Sequence, residues 1–179
     1  MASETAVSIS IEFDLEFETD PVGATLDISV PSAPSDAARK ALLDNVEQTM
    51  VGARDNLVFQ SVQRVHGRLE RYAGRVGDYK VESLIESFAG VDYQRDRTSI
   101  HVEWSWAHEA FRFMEFGTSD HTVEGDPLLV FEFDAGEYPY LEDMFGDGPA
   151  FLPEVEVSGL PEARAVRDSL NWLRREVGQ

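Results

Sequence analysis

His108 and Glu109 stand side by side, with Glu115 further on and His101 and His121 to either side, and imidazole with carboxylate is the donor set of a zinc site. A zinc-protease helix needs two His four residues apart with Glu between them, and no pair here has that spacing. These side chains therefore read as polar groups on half-exposed elements. Ser105, Ser119 and Ser158 lack the glycine-flanked strand-turn-helix context that makes a serine nucleophilic. Asp143, Gly146 and Asp147 resemble part of a calcium loop, but the EF-hand ligand pattern is missing, so a solvated loop is expected. No Gly-x-x-x-x-Gly-Lys or Gly-x-Gly-x-x-Gly run is present to cradle phosphate, and carboxylate pairs carry no acid-base signal in a chain this acidic. Without cysteine there is no disulfide, thiolate site or cysteine nucleophile. No catalytic group, cofactor or metal is expected.

One cationic pattern remains. Arg64, Arg68, Arg71 and Arg75 recur at four, three and four residues, which places them on one face of a helix. Pairing with nearby acids, or contact with an acidic neighbouring subunit, is the expected use of that stripe, because tight DNA binding needs a broader basic footprint. The surrounding composition is lopsided: 34 Asp and Glu against 15 Lys and Arg give a formal charge of −19, and Lys40 and Lys80 are the only lysines. Such charge strains the folded state at low ionic strength, but at molar salt the screening length falls to about 3 Å. Few lysines, many carboxylates and a 42% hydrophobic share together resemble proteins of extreme halophiles.

The elements that must position these residues follow from periodicity. Val7, Ile9, Ile11, Phe13, Leu15 and Phe17 alternate with polar residues, predicting a strand with one wet face. After a turn at 20–23 the alternation resumes at Leu26, Ile28 and Val30, predicting a hairpin. Ser35 is the expected N-cap of a helix from Asp36. Its apolar period continues to about Tyr72 with a kink or break at Gly52, and Gly74 and Gly77 end it. A second β region is expected at Leu84–Tyr93 and Thr98–Trp106, with the turn at 94–97. A short helix from His108 to Phe116 then ends on Gly117, followed by a strand over Leu128–Phe133 and a long surface loop at 134–150. Phe151–Val157 reads as a strand, and a last helix starts at Pro161 with Ala163, Val166, Leu170, Leu173 and Val177 on one stripe.

The expected class is α+β: an antiparallel sheet packed with a long N-terminal helix and a C-terminal helix, plus an N-terminal β-hairpin. Residues 1–35 are expected to form a hairpin extension and residues 36–179 a single domain.

Phe113-Met114-Glu115-Phe116-Gly117-Thr118, preceded by a Trp-rich strand and followed by His121-Thr122-Val123, resembles the tail-component family of long-tailed bacteriophages, the tail-completion or head-to-tail-joining proteins. The resemblance covers about residues 36–177. Leu84 and Ser87 stand where that family carries a Thr-Gly-x-Leu-x-x-Ser run, and Phe151-Leu152-Pro153 is similar to its Phe-Leu-x-Pro segment. Independently of the family, Met114 and the two Phe of the motif are expected to anchor the short helix, Gly117 to take a positive φ, and Thr118 to satisfy freed backbone groups.

The resemblance implies a structural virion subunit forming a ring, hexameric, in the neck between head connector and tail tube, in a tailed virus of a halophilic, archaeal host. Its partners would be copies of itself and neighbouring neck and tail-tube proteins, with viral DNA passing through the lumen without specific binding. Neither a leader nor a membrane span is read from the sequence, so assembly in the host cytoplasm is expected. The candidate subunit interface comprises Ile9, Ile11, Phe13, Leu15 and Phe17 on the first strand, together with Arg64, Arg68, Arg71 and Arg75. A different class of reading is a cellular ligand- or protein-binding module of a halophile, with Trp104, Trp106, Phe111 and Phe113 as an aromatic pocket.

Overall fold

The first alternating run forms strand β1, Ser8–Glu16, antiparallel to β2, Val22–Ser32, in a computed structural model that describes residues 7–16, 22–52, 54–77, 80–134, 136, 139–146 and 148–177. Phe17 and the first turn lie outside the described residues. Two compact units result: Met1–Phe116 with Glu162–Gln179, and Gly117–Pro161.

In the first unit, Ser35 caps α1, Asp36–Glu47, its hydroxyl accepting from Ala38 N at 3.1 Å. A π-helical turn over Gln48–Gly52 then interrupts the long apolar period, and Asn56 restarts it as α2, Leu57–Val76, by accepting from Phe59 N at 2.7 Å. Gly77, at φ 130°, stops α2. The segment expected to open a strand at Leu84 is instead helical, α3, Glu82–Glu86. Ser87 ends it by returning its amide to Ser83 and its hydroxyl to Leu84, so the strand β3 runs only from Phe88 to Arg95. Asp96 builds the following turn, its carboxylate taking the amides of Thr98 at 2.6 Å and Ser99 at 2.7 Å, and β4 follows as Ser99–Trp106.

The sheet order is β1-β2-β4-β3, all antiparallel. Its register aligns Phe13, Leu26, Val102 and Tyr93 in one row and Leu15, Ala24, Trp104 and Val91 in the next. Residues of opposite parity, Glu12, Asp14, Asp27 and Glu103, form the wet face. The apolar face is closed by helices: His66 of α2 and Phe111 of α4, Ala110–Phe116, meet Trp106, and Arg174 of α6, Ala165–Val177, lies over Phe13. The structure is thus α+β with an antiparallel sheet, a long helix and a C-terminal helix, as the pattern predicts. The hairpin, however, is no extension. β2 lies between β1 and β4, with Val22, Leu26, Ile28 and Val30 fully buried, so the expected boundary at residue 35 falls inside a unit whose sheet needs β2.

The second unit pairs β5, His121–Phe131, with β6, Ala150–Val157, register His121 to Val157 and Phe131 to Ala150. The stretch expected to be a structureless loop holds a helix, α5, Pro139–Phe145, with Leu141 buried and Gly146 at φ 65° returning its amide to Glu142 O. Thr118 closes the base of this unit by exchanging bonds with Leu160: N to O at 2.8 Å, and Oγ1 accepting the Leu160 amide at 2.9 Å. No helix of the described residues is long and apolar enough to cross a membrane.

Candidate functional site

The short motif and the arginine stripe resolve into two arrangements, both within the first unit. At the motif, Glu115 is fully buried on α4. Its Oε2 accepts from Val166 N at 2.9 Å, and its Oε1 accepts from Arg167 N at 3.0 Å and Arg167 Nε at 3.1 Å. These two amides belong to the first turn of α6. That helix has Ala163 and Arg164 where a Ser, Thr, Asp or Asn cap would stand, and Arg164 sits at φ 54°, so no local side chain can satisfy the turn. A carboxylate from about fifty positions earlier in the chain does it instead, and its charge complements the helix dipole.

The contact is reciprocal. Ala163 N donates to Met114 O at 2.8 Å and Arg164 N to Glu115 O at 3.3 Å, using carbonyls that α4 leaves open at its end. Docking of residues 162–164 on α4 explains why α6 begins at Ala165 rather than at Pro161. Arg167 Nη2 also donates to Glu115 O and to Glu162 Oε2, each at 2.6 Å, and its guanidinium lies 4.7 Å from the Phe116 ring. Burial alone would pull Arg167 down, but its bonds to Glu162 and Glu115 outweigh that and hold its pKa above the ordinary value.

Other motif residues divide. Met114 is buried and Gly117 has φ 72°, the left-handed conformation a helix C-terminus takes. Phe113 departs from its expected anchoring role, being 42% exposed, and the ring that anchors α4 is Phe111, stacked 5.1 Å from Trp106.

The second arrangement lies between α2 and α6. The two helices pack on each other, and each buries an apolar stripe, Val58, Val62, Val65 and Leu69 on α2 and Val166, Leu170 and Leu173 on α6. Ser61 and Ser169 meet at 2.8 Å within it, and Ser169 Oγ also donates to Ser61 O at 2.7 Å, so neither hydroxyl is left unpaired. Beside this seam is a groove of about 710 Å³ lined by Arg64, Arg68 and Arg71 from α2 and by Asp168, Trp172 and Arg175 from α6. Arg64 stacks over Trp172 at 4.0 Å. Arg68 donates Nε to Ala163 O at 2.9 Å and pairs with Asp168. Arg71 is exposed and, among the described residues, has no carboxylate partner. Arg75 shares the helix face but sits at the last turn of α2, outside the groove lining. Arg175 is absent from the face that the arginine spacing defines; the spacing of Asp168, Trp172 and Arg175 on α6 is the signal that could find it.

The first-strand candidates are partly covered by their own chain. Ile9 is 44% exposed, whereas Ile11, Phe13 and Leu15 are half-buried, and Arg174 Nη2 donates to Phe13 O at 3.0 Å. The aromatic set Trp104, Trp106, Phe111 and Phe113 makes no pocket: the first three are buried core side chains. The three candidate histidines take backbone or acid partners, His108 Nδ1 accepting from Ala110 N at 3.1 Å, His101 Nδ1 meeting Asp27 at 2.8 Å and His121 Nδ1 meeting Ser119 O at 3.1 Å. Among the described residues no group of three His, Cys, Asp or Glu could hold a metal ion. No family model, curated protein or solved structure matches the chain.

Proposed function

We propose that this chain is a non-catalytic structural subunit that assembles into a ring, hexameric, in the neck of a tailed virus of a halophilic host, between head connector and tail tube. The Glu115 clasp carries the reading. It gives the family-like segment an architectural use: its carboxylate, the most chemically capable group of the motif, is spent on starting α6, with both oxygens occupied and none of its surface exposed. The element order is the second support: the family that the motif resembles runs long helix, β-hairpin, short helix, strand and closing helix, and α2, β3 with β4, α4 ending on Gly117, β5 and α6 come in that order, with α3, α5 and β6 added between them.

In this reading the subunit's partners are copies of itself and adjoining neck and tail-tube proteins. Carboxylates on the wet face of the sheet, Glu12, Asp14, Asp27 and Glu103, keep the particle hydrated in salt and repel DNA that slides past. Negative-stain electron microscopy of protein purified in molar salt tests the proposal. Rings with a central opening are expected, and fields of single small particles would overturn it.

A further inference from the structure

The arginine groove has an unbalanced charge that the rest of the chain can complete. Arg64, Arg68, Arg71 and Arg175 surround a single acid, Asp168, in a protein of formal charge −19. Gathering guanidinium groups away from abundant carboxylates is unfavourable unless something anionic meets them. Trp172 adds an aromatic side chain to the groove lining, so the matching ligand carries both acid and apolar groups.

Residues 117–161 have that chemistry. They hold eleven Asp and Glu and no Lys or Arg. Within them α5 exposes Tyr140 at 60% and Met144 at 64%, and Asp143 shares their helix face at three- and four-residue spacing, with Glu142 exposed beside it. The groove, about 710 Å³, is as large as clefts that hold a small ligand, roughly 300–1,000 Å³.

We propose that α5 of one copy docks on the arginine groove between α2 and α6 of the next copy, with Asp143 and Glu142 meeting Arg71 and Arg175 and the exposed Tyr140 and Met144 lying against Trp172. The proposal rests on the ring reading and specifies its contact. Because groove and α5 are different patches of one subunit, the contact is head-to-tail, the kind that propagates around a closed ring. Salt decides between this occupant and a nucleic-acid phosphate chain. Counterion release weakens phosphate binding steeply as salt rises, whereas burial of Tyr140 and Met144 is not weakened by salt and direct guanidinium-carboxylate contacts lie within the screening length of about 3 Å at 1 M.

The cysteine-free chain allows a direct test. Arg71→Cys and Asp143→Cys, each made singly in the full chain, are mixed in molar salt under mild oxidation. The mixture is expected to give a covalent dimer that neither variant gives alone. In parallel, Arg71→Glu and Asp143→Arg are each expected to raise the self-dissociation constant about tenfold or more, and mixing the two is expected to restore assembly. Arg71 is exposed and unpaired among the described residues, so its reversal leaves the fold intact, which circular dichroism checks. If the parent chain assembles but neither reversal weakens it and no cross-link forms, the contact lies elsewhere and only this inference fails. A parent that is monomeric at every concentration removes the ring reading too. Unchanged mass for Arg71→Glu with loss of salt-sensitive binding to a DNA duplex would make the groove a phosphate site and overturn the proposal.

Discussion

Replacing Glu115 with Ala should cost more stability than any other single change in the motif. The substitution leaves the amides of Val166 and Arg167, and Arg167 Nε, without their acceptor. A buried donor left unsatisfied costs about 1–3 kcal/mol. Val166 is 1% exposed and bears the full penalty, while Arg167, with its side chain 26% exposed, recovers part of its loss from water and from Glu162. Together these give about 3–4 kcal/mol, a value in keeping with breaking a buried charged pair. For a chain of this length each kcal/mol moves the melting point by about 2–4 °C, so the expected fall is on the order of 10 °C. Glu115→Gln keeps the volume and one acceptor oxygen but presents an NH2 to a donor, and should lie between parent and Glu115→Ala. Calorimetry in molar salt reads both, and Arg167→Ala should cost less in the Glu115→Ala background than alone, because the two share one network. A melting point within about 2 °C of the parent for Glu115→Ala, the range of an inert surface change, would refute the clasp.

Three further outcomes follow from the same structure. His66 Nε2 accepts the Trp106 indole N–H at 3.1 Å, and burial lowers its pKa below the ordinary 6.5, outweighing the opposing charge of Glu70. The unfolded chain therefore takes the proton first: the stabilisation is complete above about pH 6.5 and is lost as pH falls toward the lowered folded value, a step that chemical denaturation should show and that His66→Phe should abolish, at a cost of about 1–3 kcal/mol for the orphaned indole N–H. Deleting residues 1–30 removes Val22, Leu26, Ile28 and Val30 from the centre of the sheet, worth about 1.5–3 kcal/mol each, comparable in sum to a whole domain's stability. The truncated chain should show no cooperative melt, and a folded truncation would contradict the sheet order. Finally, with 34 acids against 15 cations, the melting temperature should rise between low and molar salt, and a flat response would remove the halophilic reading.

Legibility in the sequence tracks the length of each periodic signal. β1, β4 and α6 are plain because alternation or a three-four stripe runs through them, and the Gly52 break and the Ser35 cap are local signals with local causes. α3 reads as strand because Leu84, Ile85 and Phe88 fit either period over so few residues, and only the return of Ser87 to Ser83 and Leu84 decides it. α5 is hidden among Gly, Pro and acids in a stretch too short to show a stripe. The place of the hairpin is not readable at all: the alternation of Leu26, Ile28 and Val30 states which face is apolar and says nothing about whether a further strand pairs with the free edge. Thr25 is 6% exposed although its cross-strand partners Asp14 and Glu103 face water, a sign of β2's central position that polarity alone conceals. Glu115 is visible as part of a motif, yet its role depends on Val166 and Arg167, far along the chain, and on the lack of a local cap before Ala165. The arginine face is half legible, since its α2 side is a repeat in one helix and its α6 side emerges only once the two helices pack.

The native mass of the purified chain in molar salt, by light scattering during size-exclusion chromatography, bears most directly on the ring. The account predicts one species near six times the 20.1 kDa chain, holding its mass as concentration falls. A 20.1 kDa monomer at every concentration would contradict it.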